Sequence, residues 1–284
     1  MQANLYALGA IALWALLASL GVSLQHIPPF LLTGIALMAG SVLALPFVLK
    51  DPRQWRVPAA TLALGVYGLF GFHFLLFIAL RHAPAVEANL VNYLWPLFMV
   101  VLAPFFLPGL HLRAAHVAAA VLGFAGAAVA ILGAREGTAG GGLSWGSWGY
   151  LPALGSAFIW ASYSLLTKRV KPFPTAAIGL FGLVSGVLSL LCHWLLETPV
   201  ALSGSDWALI AAMGLGPLGA AFFLWDKALK LGDARQIGIL SYLTPLGSTA
   251  LLMLVSGRAL TWSIGLAAAM IVGAAVLGTR AKSQ

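Results

Sequence analysis

Apolar residues run for about twenty positions at a time along this chain, and polar residues gather in short clusters between the runs. Five runs lie near 4–24, 29–49, 57–80, 84–107 and 113–132. Five more lie near 148–168, 174–196, 206–229, 233–256 and 260–279. An α-helix rises 1.5 Å per residue and needs ~20 apolar residues to cross the hydrocarbon. The pattern therefore predicts an all-α integral membrane fold of ten transmembrane helices. Between the fifth and sixth runs stands GAREGTAGGGLSWGS, whose glycines read as a flexible linker. The expected division is residues 1–133, a linker over 134–147, and residues 148–284. The first run follows MQANLY without a basic flank and reads as a retained span rather than a cleaved signal.

Composition agrees with the pattern. Of 284 residues, 61% are hydrophobic and 8% charged, where soluble domains carry about 25% charged residues. The sequence pI near 10.0 would suit nucleic acid, but the basic residues are spread through short connecting segments and form no patch, so no nucleic-acid partner is expected. Their distribution instead orients the bundle. With the N-terminus in the cytoplasm, the cytoplasmic segments hold twelve basic residues: Lys50, Arg53, Arg56, Arg113, Lys168, Arg169, Lys171, Lys227, Lys230, Arg235, Arg280 and Lys282. The outer loops hold only Arg81, Arg135 and Arg258. Positive charge stays inside, which places both termini in the cytoplasm. A single cysteine, Cys192, excludes an internal disulfide.

The chain also repeats. ALRHAPAVEANLVNYLWPL at 79–97 aligns without gaps on ALKLGDARQIGILSYLTPL at 228–246. LGAIALWALLASL at 8–20 aligns on LGSAFIWASYSLL at 154–166, pairing Trp14 with Trp160, and Gly126–Val129 aligns on Gly273–Val276. The Tyr, Trp and Pro matches carry the weight, since Leu and Ala coincide easily in apolar sequence. Five spans per copy turn the second copy over. The expected fold is thus two inverted five-helix repeats around a central cavity, with the substrate near the midplane.

Ten spans in inverted halves, together with NYLWP at 92–96, resemble the EamA-type branch of the drug/metabolite transporter superfamily. The NYLWP stretch is similar to that of the YddG-type aromatic amino-acid exporters. The resemblance implies a monomeric, basket-shaped bundle in the bacterial inner membrane that exports amino acids, aromatic and other apolar neutral ones, by alternating access. It implies a cavity lined mainly by spans 1, 3, 4, 6, 8 and 9, and no cofactor or metal.

Candidate site residues follow from depth. Trp95 lies about 15 Å into its span, and Trp14 and Trp160 are comparably deep, although Trp favours the membrane interfaces. Each indole either packs with its N–H on a neighbouring helix or forms part of an aromatic wall for flat or cationic ligands. Helical spacing puts Asn92, Trp95 and Met99 on one face, with Tyr93 at its edge. Tyr163, beside Trp160, is a further candidate. Pro96 and Pro245 deprive the carbonyls of Asn92 and Ser241 of their helical partners, which marks paired bending points. A neighbouring hydroxyl, cavity water or a substrate ammonium group would satisfy those carbonyls. His73 is intramembrane. It is either a neutral imidazole bonded to an adjacent helix or a contact for a substrate's charged group, and its repeat counterpart Phe222 is expected to matter less. Glu87 is either a cap or an interfacial ion-pair partner near Arg81 and His82, or an outer-gate element or a contact for a substrate ammonium group. Asp226 reaches Lys230 one turn on, and is an inner-gate candidate.

Other classes fit less well. HExxH, paired aspartates and a phosphate-binding P-loop do not occur, so neither an intramembrane enzyme nor ATP drive is expected. Transport of phosphorylated or nucleotide-linked sugars would call for Lys or Arg at mid-depth, where this chain has aromatic and amide side chains. Other small neutral or cationic metabolites stay open as substrates.

Overall fold

A computed structural model describes residues 2–133, 146–255, 257 and 261–280. The described residues form helices and no strand. Most of the expected linker lies outside them, as do Arg135, Arg258 and Lys282. In chain order the helical segments are α1 (Gln2–Ser23), α2 (Pro29–Lys50), α3 (Ala59–His82), α4 (Ala85–Val101) and α5 (Ala114–Gly133). They continue as α6 (Tyr150–Leu166), α7 (Ala177–Leu196), α8 (Gly204–Leu231), α9 (Ala234–Val255) and α10 (Trp262–Arg280). Seven of these, α1, α2, α3, α5, α7, α8 and α9, are long and apolar enough to cross a membrane. Bilayer hydrocarbon offers no hydrogen bonds, so each spanning backbone satisfies itself within its helix.

Several helices depart from regular α geometry, and four of the departures form two pairs. α3 passes through a π-helical turn at Tyr67–Gly71, and α8 through one at Gly216–Ala220. α4 is interrupted at Tyr93–Leu94 and α9 at Ser241–Tyr242. Packing is paired in the same way. α2 lies on α7, α5 on α10 and α4 on α9. The contact of α1 with α8 is matched by that of α6 with α3, and α1–α9 is matched by α6–α4.

Close helix approach rests on missing side chains. A Cβ on Gly40 of α2 would stand 2.7 Å from the Gly214 carbonyl and 2.8 Å from the Gly219 Cα, so α2 meets the π turn of α8 backbone to backbone. A Cβ on Gly68 would stand 2.3 Å from the Tyr163 ring, so the π turn of α3 accepts that phenol into a notch.

Candidate functional site

The bundle encloses a cavity of about 930 Å³, at the upper end of the range for ligand pockets. Its floor is at mid-depth, where Trp14, Trp95 and Trp160 reach it. It widens toward the end of the bundle that carries Val22, Thr33, Leu80, Val86 and Met253. α1, α3, α4, α6, α8 and α9 supply most of the wall, and α2 and α5 add Leu32, Thr33 and Ile131. Among the described residues the lining holds no Lys, Arg, Asp or Glu, and its one imidazole is His73.

Four indoles interlock at the floor. Trp225 of α8 lies 5.1 Å from Trp14, 5.6 Å from Trp95 and 6.2 Å from Trp160, ring centre to ring centre, the last pair stacked. Trp160 also meets Phe72, Tyr163 and Phe222 at 5.4, 5.4 and 5.6 Å. These spacings suit edge and offset contacts. The N–H groups divide evenly. Trp14 Nε1 donates to the Pro217 carbonyl (3.1 Å) in the π turn of α8, and Trp225 Nε1 donates to Ser164 Oγ (3.1 Å). Trp95 and Trp160 have no acceptor among the described residues, and both line the cavity. The indoles therefore differ in what their N–H groups meet. Trp14 satisfies its N–H on a neighbouring helix, and Trp95 and Trp160 keep theirs for the cavity.

His73 also lines the cavity. Its Nδ1 lies 2.6 Å from the Leu69 carbonyl, one turn back on its own helix rather than on an adjacent one. In the neutral ring Nδ1–H donates, which leaves Nε2 as an acceptor. Phe72, Phe77 and Phe222 surround the imidazole at 5.1, 6.0 and 6.4 Å. Phe222 is itself on the cavity wall. The expectation that it matters less than His73 is therefore not supported by position, because both residues line the same chamber.

The reading of α4 needs correction. Pro96 does not kink a continuous helix. It stands in the first turn of a new helix beginning at Trp95, where a missing N–H costs nothing. The interruption shifts the helical phase, so the expected Asn92–Trp95–Met99 face does not form. Asn89, Asn92, Tyr93 and Trp95 line the cavity, while Met99 is fully buried against Gly238. Asn92 Oδ1 lies 2.8 Å from Ser156 Oγ of α6, which ties the broken helix to its neighbour.

In α9, Pro245 likewise falls in the first turn after the break. The Ser241 carbonyl accepts the Thr244 N–H at 2.9 Å, so no free carbonyl points at a ligand. Ser241 Oγ donates to the Ile237 carbonyl at 2.8 Å. Ser241 and Tyr163 are buried away from the cavity, while Thr244, Pro245 and Ser248 reach it.

Neither gate candidate lies on the cavity wall. Glu87 is buried in the first turn of α4. Arg81 pairs not with it but with Glu197 (2.7 Å), and His82 packs on Trp148 (4.2 Å). Asp226 is 3% exposed, beneath the floor. It accepts from Lys230 Nζ and Thr175 Oγ1, each at 2.6 Å, and Lys230 also donates to the Phe173 carbonyl at 2.8 Å. Lys168 donates to the carbonyls of Leu229 and Gly232 at the end of α8. These bonds close the bundle end opposite the cavity mouth.

Sequence reasoning missed Trp225, Phe72, Asn89, Thr244 and Ser248. Trp225 was the findable one. It follows Phe222 by one helical turn on α8 and is buried against the floor indoles.

An apolar helical bundle with a deep, uncharged, aromatic-floored chamber reached from one end is built to carry a small solute across a membrane. The sequence matches the EamA-like transporter family over residues 1–132 and 147–280. It is 42% identical over 281 residues to the aromatic amino acid exporter YddG of Ancylobacter novellus, covering 98% of this chain and 97% of that one. It is 26% identical over 292 residues to the exporter of the same name from Escherichia coli K12, covering 97% and 96%. A solved crystal structure superimposes with a TM-score of 0.90 at 39% identity, covering 99% of both chains. The chain belongs to the EamA-like transporter family. It is a multi-pass membrane exporter and not an enzyme.

Proposed function

We propose that this protein exports aromatic and other apolar neutral amino acids from the cytoplasm by alternating access, and that the structure is its outward-open state. One observation carries the substrate reading. The cavity joins an indole floor with two unengaged N–H donors, Trp95 and Trp160, to a lining without formal charge. A flat apolar side chain stacks on the floor. A carboxylate takes the indole N–H groups, and an ammonium group takes Nε2 of His73 and the amide of Asn89. Phosphorylated sugars find no cation in the chamber to meet their charge. The names of the relatives point the same way.

The architecture proposed is ten spans in two inverted five-helix repeats, residues 1–133 and 148–284, with both termini cytoplasmic in the inner membrane. The paired π turns, the paired breaks and the exchange-symmetric packing of α1–α5 and α6–α10 support it, as do the loop charges. In this orientation the cavity mouth faces outward, and the Lys168, Asp226 and Lys230 bonds seal the cytoplasmic end. Pro96 and Pro245, each just after a break, sit where the two halves would bend. Glu87 stays a candidate for the outer gate and Asp226 for the inner one.

Binding tests the substrate reading. Radiolabelled tryptophan bound to purified protein should be displaced by phenylalanine and by apolar neutral amino acids, but not by aspartate or glucose phosphate. Displacement by aromatic amines as strong as that by amino acids would favour a general exporter of cationic metabolites, since indoles also attract cations.

A further inference from the structure

α8 has two working faces. Phe222, Trp225 and Asp226 point into the bundle, while Ala220, Phe223, Leu224 and Lys227 follow one another at i, i+3, i+4 and i+7 on the other side. That second face forms a groove of about 370 Å³ with Leu43 and Phe47 of α2, Gln54 of the following loop, and Thr175 and Ala176 at the start of α7. The groove lies apart from the transport cavity, and the two share no lining residue. Leu43, Phe47, Ala220, Phe223 and Leu224 make it apolar along its length.

Its polar features gather at one end. Lys227 is exposed there, with its Nζ 5.4 Å from the centre of the Tyr6 ring. Lys50 stands one turn beyond Phe47, and Arg53 is next to Gln54. Both are exposed, and so is Arg56 two residues further on. Asp51 is the one acid in this loop, and it accepts the Arg53 backbone N–H (3.0 Å). Asp226 faces inward and is held by Lys230 and Thr175. Trp55 stands at the same level, with its Nε1 donating to the Ala176 carbonyl (2.9 Å), the depth at which Trp meets lipid headgroups.

A membrane-embedded groove that is apolar along its length and cationic at the interface is complementary to one kind of molecule. It fits a lipid with an acyl chain and a negative headgroup. A zwitterionic headgroup meets no such excess of positive charge. We propose that this groove is a binding site for an anionic phospholipid. One acyl chain lies along Phe223 and Leu224, and the phosphate sits between Lys227 and the Lys50–Arg56 loop. A lipid there packs directly on the back of the helix that carries Phe222 and Trp225.

Native mass spectrometry of the purified protein with phosphatidylglycerol or phosphatidylcholine tests this. The wild type should retain phosphatidylglycerol in preference to phosphatidylcholine. A basic residue near a charged headgroup contributes ~1 kcal/mol, or about fivefold in affinity. Lys227→Gln should therefore bind phosphatidylglycerol about fivefold more weakly, and adding Lys50→Gln and Arg53→Gln should remove the preference. Lys171→Gln, a neutralisation at the same end but off the groove, should change nothing. All are surface changes, and tryptophan binding reports that each variant is folded. Equal retention of the two lipids by the wild type would overturn the proposal. So would a folded Lys227→Gln protein that binds phosphatidylglycerol as tightly as the wild type, or a loss with Lys171→Gln as large as that with Lys227→Gln.

Discussion

Replacing each floor tryptophan by phenylalanine keeps an aromatic ring and deletes one N–H. The structure predicts two different outcomes. Trp95 and Trp160 line the cavity and have N–H groups without an acceptor among the described residues, so their loss should be felt by the ligand. A hydrogen bond contributes about 0.5–1.5 kcal/mol net, which corresponds to roughly a two- to thirteenfold rise in the Kd for tryptophan. Trp14 and Trp225 donate to Pro217 and Ser164. Trp14→Phe removes a buried interhelical hydrogen bond and Trp225→Phe strands a buried hydroxyl, at a cost of about 0.5–3 kcal/mol in stability. The assays are equilibrium binding of tryptophan and thermal unfolding followed with a thiol-reactive dye on Cys192, the single cysteine. Trp95→Phe and Trp160→Phe should weaken binding at little cost in melting temperature. Trp14→Phe should lower the melting temperature more than it weakens binding. If the four variants weaken binding equally and melt alike, the division of N–H groups is not what organises the floor.

Pro96→Ala restores an N–H after the Tyr93–Leu94 break and should let α4 run through. Slower exchange between inward and outward states, read by side-specific labelling of cavity cysteines, is the expected result, and unchanged accessibility would remove the hinge role. Glu197 accepts the N–H groups of Phe30 and Leu31 at 3.1 and 3.2 Å and pairs with Arg81 and His193. Glu197→Gln should lower the melting temperature clearly while Arg81→Gln, at a more exposed partner, lowers it less. A larger effect from Arg81 would contradict the assignment of Glu197 as the centre of that cluster. Gly68→Ala puts a Cβ against the Tyr163 ring and should cost about 1–3 kcal/mol. Tyr163→Leu should recover much of that loss, and additive losses would show that the notch is not the cause.

The helices were legible because bilayer physics leaves few options. Runs of about twenty apolar residues favour helices long enough to span, and each expected run coincides with a helical segment, seven of them long and apolar enough to cross a membrane. The repeat proposed here rests on the matches of Trp14 with Trp160 and of Pro96 with Pro245, where chance coincidence is rare. The breaks were not legible in detail. Proline states that an N–H is missing, but not whether the helix bends around the gap or stops and restarts, and α4 and α9 both restart. That choice moved Met99 out of the cavity and Asn89 into it. Ser241 was misread for a related reason, since a three-residue bond from Thr244 satisfies the carbonyl that Pro245 abandons. The paired π turns left no sequence signal beyond glycine content, and they fall where α2 and Tyr163 approach α8 and α3 closely.

Counterflow in proteoliposomes tests the central claim most directly. Vesicles loaded with unlabelled tryptophan should accumulate external labelled tryptophan, and loading with phenylalanine or other apolar neutral amino acids should drive the same exchange. Loading with aspartate or glucose phosphate should not. Trp95→Phe should require more internal substrate for half-maximal exchange. Exchange driven equally by glucose phosphate, or none driven by any amino acid, would contradict an uncharged aromatic chamber built for amino-acid export.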